Sequence, residues 1–94
     1  MQIRWKPQAL KDLEAIEDYY MSVAPEFASI LTDEILSKTK RLSHSPRSGR
    51  MVPEINDPSI REILVHSYRI IYHYSKEEPT VEVLTVYHTA RDFG

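Results

Sequence analysis

The sequence predicts an α+β domain: an N-terminal strand, an antiparallel helix hairpin, then a three-stranded antiparallel meander. The helices pack on one face of a four-stranded sheet. Three observations predict it. Apolar residues recur every third or fourth position from residue 7 to about 43, but every second position at residues 3–5 and again beyond residue 60. The stretch between, HSPRSGRMVPEINDPS (44–59), holds three of the six prolines and one of the two glycines, so it is a loop. The three late runs follow one another closely, and contiguous strands pair as a meander with the helices covering one face.

In chain order, QIRWK alternates with Ile3 and Trp5 on one side, a short strand. Pro7 suits a helix start, and Leu10, Leu13, Ile16 and Tyr20 mark an amphipathic helix to about Val23. Asp12, Glu14, Glu17 and Asp18 read as its solvated face. Pro25 opens a second helix, ending near Ser43, with an apolar stripe of Phe27, Ile30, Leu31, Ile35, Leu36 and Leu42. So short a break makes a helix hairpin. IREILV, YRIIYHY and VEVLTVY are the later strands, with SKEEPT as the last turn.

Ninety-four residues, 41% of them hydrophobic, suit one domain over residues 1–94. There are no cysteines, so disulfides and Cys-based metal sites are excluded. With two glycines, a Gly-rich phosphate loop is excluded as well. No run of about eighteen apolar residues and no basic-then-apolar leader occurs, so a cytoplasmic protein with no membrane partner is expected. The net charge of −2 is unevenly spread: residues 1–37 carry −4, 38–73 carry +4 and 74–94 carry −2. A chain that grips nucleic acid through its phosphates is usually basic overall. A local basic segment better suits one acidic patch, one phosphate or one partner segment.

Arg69 stands in the middle of an apolar strand, where a guanidinium must be paired or face a groove. Strand alternation places Tyr68, Ile70, Tyr72 and Tyr74 on one face and Arg69, Ile71 and His73 on the other. In the last strand Val81, Val83, Thr85 and Tyr87 oppose Glu82, Leu84, Val86 and His88. The set with Arg69, His73, Glu82 and His88 is expected on an open face, the arginine's head free for a carboxylate or phosphate. The competing reading pairs Arg69 with Glu62 or Glu82 across the ladder, where it only stabilises the sheet. His66 and His73 lack the spacing of a metal site. His44 is a solvated loop residue, and with Ser45 and Ser48 it makes no triad. The tyrosines read as core or rim.

Trp5-x-Pro7-x-Ala9, Asp12-Leu13, Tyr19-Tyr20, Pro25, Ser45-Pro46, Gly49-Arg50, Arg61-Glu62, Tyr68-Arg69-Ile70-Ile71-Tyr72 and Val86-Tyr87-His88-Thr89-Ala90-Arg91-Asp92 occur in this order. In that order and spacing, nearly end to end, the chain resembles the ParE/RelE superfamily of bacterial toxins. The resemblance implies the toxin of a type II toxin–antitoxin pair, without a cofactor. A cognate antitoxin would wrap it by a helical or extended segment; a homodimer and a heterotetramer with the antitoxin both stay open, as does whether the free toxin is monomeric. ParE-like members poison DNA gyrase; RelE-like members cut mRNA on the ribosome. Cleavage needs proton-transfer groups and a cation on the developing phosphorane. His88 or Tyr87 and Arg69 would supply them, and a histidine titrating near neutrality is a sensible acid or base. But residues 60–67 lack the lysine-rich strand of RelE-like chains, and the HTARD ending resembles ParE. The gyrase branch is therefore favoured. There Arg50, Arg61, Arg69 and Arg91 are recognition residues and no chemistry is done. A module that only binds an antitoxin, or a purely structural domain, is the remaining alternative.

Overall fold

A computed structural model describes residues 1–91. The element order is β1 (Gln2–Trp5), α1 (Pro7–Val23), α2 (Pro25–Arg41), β2 (Arg50–Met51), β3 (Ile60–Val65), β4 (Tyr68–Ser75) and β5 (Thr80–His88). The expected helices and late strands are there. The sheet has five strands rather than four, because the loop contributes the two-residue β2. Its order is β1-β5-β4-β3-β2, with β1 parallel to β5 and every other pair antiparallel.

A single residue separates the helices. Pro25 has no N–H to continue the helical ladder, and its ring drives the preceding residue out of the helical region. Ala24 has accordingly left the helical region, at φ −156° and ψ 72°. Its N–H still closes on the Tyr20 carbonyl, and its own carbonyl accepts from Ala28 N–H to start α2. The faces turned inward differ in part from the expected stripes. Ala9, Ile16, Ala28, Leu31, Ile35, Thr39 and Leu42 are buried. Leu10, Ile30 and Leu36, expected inside, are exposed. The small residues Ala9 and Ala28 and the polar Thr39 complete the real face and let the helices lie close to the sheet. A reading that ranks positions by hydrophobicity passes over them.

The core lies between the helices and the sheet face carrying Tyr68 and Ile70 of β4 with Val83 and Val86 of β5. Tyr72, Tyr74 and Val81 continue it beside Leu42. The face of β5 changes part-way. Ile71 pairs with Thr85 and Tyr72 with Val83, so Leu84 is an extra residue. That bulge reverses the alternation beyond it. Val86 and His88 therefore turn toward the helices, and Thr85 and Tyr87 toward the other face. His88 does not join Arg69, as strict alternation had placed it.

The second face is not open either. Residues 68–72 of β4 are all buried, so both sides of this strand are covered around Arg69. The loop after β2 contributes: Val52 is buried and Glu54 reaches the Arg69 guanidinium. The preceding turn is tied to the core by the Tyr72 phenol, which donates to the Pro46 carbonyl (2.6 Å) and accepts from Gly49 N–H (3.0 Å). Gly49 is needed for close approach, since a Cβ there would sit 2.6 Å from both the Glu62 carbonyl oxygen and the Tyr72 hydroxyl. No helix is long and apolar enough to cross a membrane among the described residues.

Candidate functional site

Four charged side chains meet on the sheet face away from the helices. Glu62 of β3 and Arg69 of β4 point to that face from neighbouring strands, and Arg50 stands opposite Glu62 on β2. Glu62 is 1% exposed and Arg69 8%. One Glu62 oxygen accepts from Nε and Nη2 of Arg69, the Nε bond at 2.9 Å. The other accepts from Nε and Nη2 of Arg50, each at 2.8 Å. From the loop, Glu54 accepts from Nη1 and Nη2 of Arg69, both at 2.9 Å, in the bidentate fork that suits a guanidinium. Two cations and two carboxylates neutralise one another. The hydrogen bonds from Arg69, helped by a backbone hydrogen bond at Glu54 itself, hold the Glu54 carboxyl down at about 2. Glu54 in turn pushes the Arg69 guanidinium to a still higher pKa.

Arg69 is thus not a free cation on an open surface. It is paired as the competing reading had it, with Glu62 across the ladder, and also with Glu54, a partner that strand alternation could not reveal. The physical reason is burial: a guanidinium this far from water requires carboxylates, and the loop brings one. Glu82, the other expected partner, instead stands 4.0 Å from Lys6 in an exposed pair.

The remaining candidates separate. Tyr87, opposite Arg69 in register, lies on the same face, with the Arg69 Cζ 5.3 Å from its ring centroid. Burial pushes the Tyr87 phenol up. His88 is on the opposite face, packed edge-on against Tyr68 at 5.3 Å. Its Nδ1 accepts from Ala90 N–H at 3.0 Å. Arg61 donates to the backbone carbonyls of Pro58 (2.9 Å) and Gly49 (3.2 Å), which holds the loop to the sheet. Arg91 is exposed beside Tyr19 and His88. Asp92, the last residue of the tail motif, lies outside the described residues.

Asp12 is the residue the sequence reading missed. It does not belong to a solvated face: it accepts from Val86 N–H at 3.0 Å and from the Thr85 hydroxyl at 2.5 Å. β1 pairs with β5 only through Val83, and α1 follows directly, so a helix carboxylate caps the sheet edge where β1 stops. The signal was its place between Ala9 and Ile16, three and four residues away on the buried stripe.

The sequence matches the family model described as "ParE toxin of type II toxin-antitoxin system, parDE" over residues 3–93. The chain belongs to the ParE toxin family. Its fold is shared by solved ParE and RelE toxins. One is in the chromosomal ParDE system of P. aeruginosa: TM-score 0.76, 22% identity, covering 94% of this chain and 95% of that one. A second is in the intact E. coli RelBE toxin–antitoxin complex: TM-score 0.72, 20% identity, 96% and 98% covered. The YoeB/ParE toxin of Agrobacterium tumefaciens gives a TM-score of 0.66 at 13% identity, with 94% and 98% covered. A comparison with curated proteins gives no match. For a ParE-family toxin the four-residue cluster is a structural brace as much as a surface feature, since two of its members are buried.

Proposed function

We propose that this ParE-family chain is a non-catalytic toxin that inhibits DNA gyrase and is held in check by a cognate antitoxin. One observation carries the reading: the arginine a nuclease would aim at a phosphate is already committed to two carboxylates, and the candidate histidine stands across the sheet from it. A transition-state cation must be preorganised toward the developing charge. Here breaking the Glu54 fork and the bonds to Glu62 would come first. The net charge of −2 supports the same reading, because docking into ribosomal RNA is driven by basic surface.

Solved relatives are named as ParDE and RelBE complexes, which supports an antitoxin encoded beside this chain. The complex is expected to bury more than ~2,000 Å², as wrapping partners do, and to survive dilution well below micromolar concentration. Arg91 and the outer side of Arg50 are the recognition cations this reading assigns.

The test is pulse-labelling of bacteria after induction of the toxin without antitoxin, following DNA and protein synthesis together. DNA synthesis should fail first, with an SOS response. Arg91→Ala should delay arrest with no change in unfolding midpoint. Protein synthesis failing first would overturn the gyrase reading in favour of mRNA cleavage. Undisturbed growth would leave a module that only binds an antitoxin.

A further inference from the structure

We propose that the outer edge of β1 pairs with the same edge of a second copy of this chain, antiparallel about a twofold axis at Ile3, so that two five-stranded sheets become one. β1 ends the sheet and has β5 as its one neighbour among the described strands. Gln2 N–H donates to the Pro79 carbonyl and Lys6 N–H to the Val83 carbonyl, both at 2.9 Å. Main-chain groups alternate in direction along a strand, so those of Gln2, Arg4 and Lys6 face β5 and those of Ile3 and Trp5 face outward. An edge of this kind is a template for another strand. Both copies present the same groups, so a twofold axis lets the N–H of each Ile3 meet the carbonyl of the partner's Ile3.

Charge decides which alignment holds. Outward-facing residues pair directly with one another across the axis. Trp5 against the partner's Trp5 would set Arg4 beside the partner's Lys6, and Ile3 against the partner's Trp5 would set Arg4 beside the partner's Arg4. Like charges directly opposite destabilise a ladder. Ile3 against the partner's Ile3 instead sets Arg4 opposite the partner's Gln2. Gln2 shares a shallow groove of about 610 Å³ with Glu77, Glu78 and Thr80 at the turn into β5. Both glutamates are exposed, and neither has an ion pair among the described residues. Arg4 is exposed as well, its Nη2 donating to the Gln2 side-chain oxygen at 3.3 Å. The axis carries each Arg4 into the partner's groove, so the same attraction is made twice and fixes the register. On the opposite face Ile3 and Trp5, half-buried at the rim of the core, gain cover. The strand is short, so the contact buries less than ~1,200 Å² and the dimer is a weak one. The pairing is independent of what the toxin poisons.

The experiment follows the full chain by sedimentation velocity from micromolar to millimolar concentration. Monomer should give way to dimer, and hydrogen exchange of the Ile3 amide should slow at least tenfold over the same range. Arg4→Glu should weaken the dimer at least tenfold, and so should Glu77→Lys with Glu78→Lys. Both variants should keep the native unfolding midpoint, since the three side chains are exposed. Mixing the two variants should restore association, because every reversed charge then meets an opposite one. A chain that stays monomeric at millimolar concentration would overturn the proposal. So would a dimer indifferent to both variants, or a mixture that associates no better than its parts. A dimer that leaves Ile3 exchange unchanged would also overturn it, marking contact through another face. If a variant misfolds, Ile3 exchange in the native chain decides alone. None of these readouts involves growth arrest, so their failure leaves the gyrase reading untouched.

Discussion

Removing the Glu62 carboxylate would strip the buried Arg69 guanidinium of one of its two carboxylate partners, while Arg50, whose side chain is 63% exposed, can turn to water. Breaking a buried pair from one side costs about 3–5 kcal/mol, because the surviving charge keeps its desolvation penalty. Glu62→Ala should therefore destabilise by up to that much, since Arg69 keeps Glu54, and the loss should be read as a lower urea midpoint at unchanged slope. Arg69→Ala should also destabilise, so loss of toxicity in that variant would say little about recognition. Glu54 differs, because it is exposed. Its folded pKa lies below the unfolded one, so its contribution is full above about 4.5 and disappears as the pH falls through about 2. Acid unfolding of the native chain should thus be steeper between pH 4.5 and 2 than that of Glu54→Gln. Equal slopes would show that the Glu54 fork does not hold in solution.

Elements here depend on small features at their ends. The edge of β5 beyond β1 is closed by one helix carboxylate, and an unsatisfied buried donor costs ~1–3 kcal/mol. Asp12→Ala should cost about that much, and amide exchange should rise at Val86 before it rises elsewhere in β5. The turn before β2 has no room for a methyl group at Gly49, so Gly49→Ala should destabilise by ~1–3 kcal/mol through displacement of the Tyr72 hydroxyl. Retention of the native midpoint would mean that the turn gives way freely. Helices and late strands were legible because their apolar periods span many residues and the two prolines punctuate them. The bulge at Leu84 was not legible, since a single inserted residue leaves the composition of a strand unchanged while reversing every face beyond it. The site was half legible. The cross-ladder alternative offered Glu62 or Glu82 as the partner of Arg69, and Glu62 is the one it meets, but Glu54 arrives from a loop whose path is set by long-range contacts such as the Tyr72 phenol. Ala9 and Thr39 were hidden because burial of a small or polar residue leaves no hydrophobic mark.

At the scale of the molecule, folding gathers the +4 of residues 38–73 around the end of α2 and the outer strands, while the acidic first third runs through β1 and most of the hairpin. A weakly acidic toxin thereby keeps one cationic side, and its association with an acidic partner should slow several-fold as ionic strength rises. Stopped-flow rates at two salt concentrations would test this, and salt-independent rates would count against it. β5 lies between β1 and β4, so among the described strands β1 has its one neighbour in the strand furthest from it along the chain. A fragment of residues 1–79 should accordingly show no cooperative unfolding transition. During synthesis Ile3 and Trp5 must wait, unpaired, until Val81 and Val83 have left the exit tunnel. The sheet therefore closes only once β5 has emerged, and a partner that needs the complete sheet meets the chain after that moment.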